Sequence, residues 1–282
     1  MTDAAPEPRH VVSRDGTPIA VFSTGDGPPL ILVHGTTADH TTWRATGPEL
    51  AHGYRVHAID RRGRGASGDG EDGDARYSIE LEYDDLAAVA DAVAGEAEMP
   101  VDVVGHSYGG RIGLGAALRT ASIGRLVVYE GAPSPADGSG YRPAGVERRI
   151  ARLIEAGNRD AALQTFFREI VRMPDDELAA YRANPVWPVR VAAVNTVLRE
   201  IQAEGSPAAS LEALGGVTIP VLQVLGSASA EPFGRAVRAL DARLPKGQVV
   251  EIDGARHAAH HTHVGVFVAA VRAFLEDPDV TD

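Results

Sequence analysis

The sequence predicts an α/β fold, a mostly parallel central sheet flanked by helices, with one helical insertion. Three observations lead there. Short β-branched runs alternate with longer amphipathic stretches, the pattern of a parallel sheet covered by helices. Several of the runs are apolar throughout, as strands buried on both faces must be. Residues 132–216 break the alternation, carrying helical patterns and no convincing strand.

Taken in order, strands are expected at 19–22, 30–33, 56–59, 101–104, 126–129, 221–225 and 249–252, each bounded by Gly, Pro or polar residues. Helices are expected at 78–94, 108–119, 232–243 and 264–275. In the first of these Leu81, Leu86, Val89, Ala90 and Val93 recur at helical spacing, and Ser78 is a natural N-cap. The insertion is punctuated by Pro135, Pro143, Pro174, Pro185 and Pro188. At roughly eighty residues it far exceeds a crossover of a dozen or so. Residues 1–131 and 217–282 are therefore expected to form the core, and 132–216 a helical cap lying over the sheet.

Composition narrows the function. Of 282 residues, 44% are hydrophobic and 23% charged, which suits a globular protein rather than a disordered one. The net charge of −12 argues against nucleic acid as partner, since phosphate binding needs clustered Lys and Arg. Twelve of the acidic residues lie between positions 69 and 102, and they read as a solvated loop and helix face. The insertion, with ten Arg and eleven acids, is nearly neutral and makes no case for a highly charged substrate. With no cysteine, thiolate chemistry and disulfides are excluded. No run of about eighteen apolar residues suggests a membrane span, and residues 1–8 lack the apolar stretch of a secretory signal. The cytoplasm is the expected compartment.

The segment that carries chemistry is Gly105-His106-Ser107-Tyr108-Gly109, which follows a predicted strand and opens a predicted helix. A serine on a sharp strand-to-helix turn projects its hydroxyl above the sheet edge. Small residues beside it let the backbone turn and let neighbouring elements approach. The helix N-terminus behind it adds positive potential for a developing oxyanion. Ser107 is therefore the candidate nucleophile.

In these residues the chain resembles the α/β-hydrolase family, over about residues 10–276 apart from the insertion. Pro29–Val33 followed by His34-Gly35-Thr36 resembles the family's strand ending in His-Gly. The resemblance implies an oxyanion hole made by the backbone N–H groups of Thr36 and Tyr108. The His34 imidazole reads as structural. Asp60-Arg61-Arg62-Gly63-Arg64-Gly65 resembles a family segment in which Asp60 and Arg62 would brace the loop near the nucleophile. Asp253-Gly254-Ala255-Arg256-His257 resembles the turn that delivers the family's general base, and assigns that role to His257. An imidazole titrates near neutral pH, as the role demands. The neighbouring His260, His261 and His263 lack acidic or cysteine ligand spacing, so no metal is expected there. No cofactor is expected either.

One family position is changed. The usual triad acid follows the strand at 221–225, and Ser229 stands there. Two substitutes remain. Glu130 closes the preceding strand, where some related subfamilies place the acid, and Glu231 lies two residues past the usual position. Glu130 is preferred because a carboxylate at a strand's carboxyl end lies on the functional edge. In the insertion, Phe166, Phe167 and Trp187 are expected to wall an apolar pocket. The expected activity is cofactor-independent cleavage of an ester, lactone or related acyl bond through a Ser107 acyl-enzyme. The contrasting expectation is a non-hydrolytic protein of the same fold, a small-molecule binder or a lyase-type or cyclase-type catalyst.

Overall fold

The computed structural model describes residues 7–71, 73–135 and 142–281. Residues 1–6, Asp72 in the acidic stretch, residues 136–141 of the expected insertion and Asp282 lie outside the described residues.

Eight strands form one sheet: β1 (Arg9–Val12), β2 (Pro18–Thr24), β3 (Pro29–Val33), β4 (Arg55–Ile59), β5 (Val101–His106), β6 (Ile123–Tyr129), β7 (Val221–Gly226) and β8 (Gly247–Ile252). Their order is β1-β2-β4-β3-β5-β6-β7-β8, and β2 alone runs against its neighbours. The chain leaves β3 for β4 on one side, then crosses back to place β5 on the other. This reversal opens a crevice at the carboxyl ends of β3 and β5, where parallel sheets bind their ligands. All seven expected strands are present. β1 was not anticipated, because four residues with Arg9 and His10 at its start form a half-buried edge with a weak apolar signal.

Alternation within the strands sorts residues into two cores. Ile31, Val33, Val101, Val103, Leu126 and Val128 face α2 (Ile79–Ala97) and α3 (Tyr108–Ala117). Leu30, Leu32, Val104, Val127 and Tyr129 face the opposite layer, with Leu50 of the short α1 (Gly47–Leu50) and Phe267, Val271 and Phe274 near the C-terminus. Burial on both faces explains why these strands read as unbroken apolar runs. Ser78 precedes α2 in the extended cap conformation, yet its hydroxyl accepts no helix N–H.

Between β6 and β7 lie α4 (Val146–Glu155), α5 (Arg159–Thr165), a π-helical turn (Phe166–Val171), α6 (Asp175–Arg182), α7 (Trp187–Ala192), α8 (Asn195–Ala203) and α9 (Leu211–Leu214). The first helices of this layer have an apolar cluster of their own, including Ile150, Leu163, Phe167, Leu178, Trp187 and Val197. Polar pairs tie it to the sheet domain. Glu200 receives both Arg61 and Arg64, Arg199 pairs with Asp69, and Arg111 with Glu204. The chain closes with α10 (Glu231–Asp241), α11 (Ala259–Thr262) and α12 (Val264–Leu275).

Candidate active site

Ser107 sits between β5 and α3 with φ +54° and ψ −122°, a conformation that L-residues rarely adopt. The turn is held by neighbours on all sides. Ser107 N–H donates to Tyr129 O at 2.7 Å, and Gly110 N–H donates to Ser107 O at 2.9 Å. A Cβ at Gly105 would lie 2.5 Å from Gly109 O, and one at Gly109 would lie 2.4 Å from Val33 O. Both contacts are with backbone, which cannot yield as a side chain can. These glycines are what allow β5, β3 and α3 to close on one another beneath the serine.

His257 lies on the turn after β8, and its position is fixed through its backbone. His106 Nε2–H donates to His257 O at 2.8 Å. Tyr129 Oη donates to Arg256 O and accepts Ala259 N–H at 2.7 Å. Sequence reading missed both braces. His106 has one local signal, its place directly before the nucleophile, whereas Tyr129 reads only as a buried strand residue. The Phe233 ring packs 4.6 Å from the His257 ring, centroid to centroid.

Of the two glutamates, Glu130 is the one that meets His257. Glu130 Oε2 lies 2.6 Å from His257 Nδ1, and the Glu130 side chain is fully buried. Its other oxygen, Oε1, accepts Gly226 N–H at 2.8 Å and the Ser229 hydroxyl at 2.5 Å. Ser229 thus serves as a donor to the Glu130 carboxylate. Glu130 itself has φ +47°, a second strained residue beside Ser107. Glu231 is exposed at the start of α10 and pairs with Arg235. Its position on the first turn of a helix directs it to solvent.

Thr36, Ser107, Tyr108, Glu130 and His257 all line one small cavity of about 50 Å³. Among the described residues, neither Thr36 N–H nor Tyr108 N–H donates to a backbone carbonyl. Beside it opens a cavity of about 560 Å³, also reached by Thr36, Ser107 and His257. Phe166 lines both and Phe167 the larger. Trp187, expected on the same wall, lines neither. Its indole packs against Phe167 and Tyr181, and its N–H donates to Asp160 Oδ1 at 2.6 Å. A large aromatic in an amphipathic helix packs on sister helices as readily as on a cavity.

His34, the Asp60 loop and His260 sit in contacts within the fold. His34 Nε2 accepts Arg61 N–H at 3.0 Å, and burial first, then the Arg61 charge, hold its pKa well below the usual imidazole range. Asp60 accepts His40 N–H and Ala66 N–H, both at 2.8 Å, while Arg62 pairs with Asp85 and Asp15. His260 is buried with both ring nitrogens unpartnered and packs tilted against the His106 ring. Its burial, then its histidine neighbours, push its pKa well down. Among the described residues no group of three or more acidic or histidine side chains is set to hold a metal ion, and no helix is long and apolar enough to cross a membrane.

The model of the alpha/beta hydrolase family matches residues 30–271. The chain is similar to the pimeloyl-[acyl-carrier protein] methyl ester esterase of Neisseria meningitidis serogroup A, 27% identical over 88% of this chain and 76% of that one. Among solved structures it resembles an alpha/beta hydrolase from Sphaerobacter thermophilus, with 31% identity, TM-score 0.78, and 93% and 99% of the two chains covered. An esterase from Rhodococcus sp. ECU1013 superposes with TM-score 0.74 at 25% identity, over 96% and 99% of the chains.

Proposed function

The chain belongs to the alpha/beta hydrolase family, and from that premise we propose a cofactor-independent serine esterase acting on a small acyl compound, with Ser107, His257 and Glu130 as its triad. The observation that carries the reading is the Glu130–His257 contact at 2.6 Å, on the wall of the cavity that Ser107 enters from a strained turn. The cytoplasm is the proposed compartment.

Each residue has a defined task. His257 takes the Ser107 hydroxyl proton as Oγ bonds to the substrate's carbonyl carbon. The Glu130 carboxylate holds Nδ1 protonated, leaves Nε2 free to accept, and stabilises the imidazolium that forms. The backbone N–H groups of Thr36 and Tyr108 receive the developing oxyanion, a contribution of about 10²–10³ in rate for each donor. The imidazolium then returns its proton to the leaving alcohol as the carbon–oxygen bond breaks. Water, deprotonated by His257, attacks the acyl-enzyme and releases the acid and free Ser107. The helices of residues 146–214 act as a cap that limits water and shapes the acyl pocket.

A fluorophosphonate probe with peptide mapping, run beside a panel of p-nitrophenyl esters and simple lactones, tests this. Stoichiometric labelling at Ser107, abolished in Ser107→Ala, is the expected result. Absence of both labelling and turnover would establish the non-hydrolytic reading instead.

A further inference from the structure

We infer that the large cavity beside Ser107 takes an acyl substrate bearing a carboxylate, and that Arg190 is the group that receives it. The inference rests on the esterase reading and names its substrate class.

Arg190 stands on α7 and is 7% exposed. Other buried arginines meet carboxylates: Arg61 with Glu82, Arg62 with Asp85, Arg64 with Glu200, Arg111 with Glu204 and Arg199 with Asp69. Arg190 does not. Among the described residues its guanidinium makes one hydrogen bond, from Nη2 to Thr42 Oγ1 at 3.2 Å, and no ion pair. Its Nε is buried without any partner. Removing a guanidinium from water without a counterion is costly, and such a charge persists where a ligand completes it.

The cavity supplies the setting for that ligand. Arg190 lines the same space of about 560 Å³ as Ser107 and His257, a volume suited to a small organic molecule. Phe166, Phe167, Val171 and Val186 give it apolar wall. Arg44, exposed on the same lining, adds positive charge, while the lining acid Glu177 is occupied by Arg256 at 3.1 Å. Burial, with help from Arg44 and Arg190, brings the His261 imidazole down to about 4, so it is neutral at pH 7. Arg190 also contributes to the lowered pKa values of His106 and His260, behind burial and neighbouring histidines. The unpartnered face of a planar guanidinium fork matches a carboxylate, and Thr42 already orients the fork.

The test compares mono-p-nitrophenyl esters of dicarboxylic acids, from glutarate to suberate, with isosteric esters whose carboxylate is replaced by an isopropyl group. The wild type is expected to favour the anionic ester in kcat/KM by about 10- to 100-fold at the best chain length, the scale of one charge-assisted contact. Arg190→Met should lower that ratio at least tenfold, and Arg190→Lys should retain part of it. Calorimetric titration of the wild type and Arg190→Met with adipate reads the same contact without turnover. A wild-type ratio near one at every length, with no adipate bound, overturns the inference. So does a ratio that Arg190→Met leaves unchanged. Fluorophosphonate labelling of Ser107 in parallel separates the two failures. Labelled enzyme without anion preference loses only the carboxylate, whereas unlabelled, inactive enzyme that still binds adipate through Arg190 loses only the esterase reading.

Discussion

Replacing Glu130 by Gln changes one atom and leaves every acceptor and donor around it in place. Glu130 Oε1 accepts two donors, Gly226 N–H at 2.8 Å and the Ser229 hydroxyl at 2.5 Å, while Oε2 lies 2.6 Å from His257 Nδ1. An amide carries one oxygen and one NH₂ and cannot satisfy this arrangement. If its oxygen turns to Nδ1–H, the NH₂ confronts the Gly226 N–H, a backbone donor that cannot reverse. If its oxygen stays with Gly226, the NH₂ donates to Nδ1 and forces the tautomer protonated at Nε2. That tautomer cannot accept the serine proton. The second arrangement avoids a buried donor–donor clash and will dominate. Loss of the correct tautomer and of imidazolium stabilisation together should lower kcat by about 10⁴, or about 5 kcal/mol at 1.36 kcal/mol per tenfold. The assay is steady-state hydrolysis of a p-nitrophenyl ester, with thermal midpoint as the check on folding. Because Ser229 Oγ already touches the carboxylate, adding Ser229→Asp to Glu130→Gln should recover at least tenfold. Glu231→Gln, exposed and paired with Arg235, should do little. Activity of Glu130→Gln within tenfold of wild type would refute the reasoning.

Two further outcomes follow from the same geometry. Ser107→Ala and His257→Ala should each abolish ester turnover to a similar depth, with the double variant no worse, because members of a relay are strongly non-additive. Substantial residual activity in either would remove that residue from the mechanism. Native stability should fall as pH drops from about 6.5 toward 4. His34, His106 and His260 are held well below the usual imidazole value by burial, and His57 and His261 are brought to about 4 by the same cause. The native state therefore keeps these groups neutral where the unfolded chain takes up protons, and each fully titrating group removes about 1.4 kcal/mol per pH unit. Asp85 and Asp102, raised to about 6 by burial, work in the opposite direction below that pH. Five groups outweigh two, so the thermal midpoint should be lower at pH 5 than at pH 7.5. A flat or rising profile would contradict this balance.

What the sequence determines by itself is local. The Ser107 turn is legible because a strained residue between a buried strand and a helix requires Gly105 and Gly109, and no other residue type tolerates backbone at 2.4–2.5 Å. The strands are legible because burial on both faces leaves unbroken apolar runs, and β1 escaped because an edge strand carries no such run. The sequence also narrowed the acid to Glu130 or Glu231, both close in number to a plausible strand end. The contact that favours Glu130 exists only in the tertiary structure. The β6–β7–β8 neighbourhood brings Glu130 against Ser229 and His257, 99 and 127 residues further along the chain, and turns Glu231 outward on a helix. The same limit explains Trp187 and Arg190. Helical periodicity marks a buried face without saying whether a sister helix or a cavity lies against it. A near-neutral insertion likewise conceals Arg190, which meets no carboxylate among the described residues, because charge pairing is settled by contacts in space and not by totals along the chain.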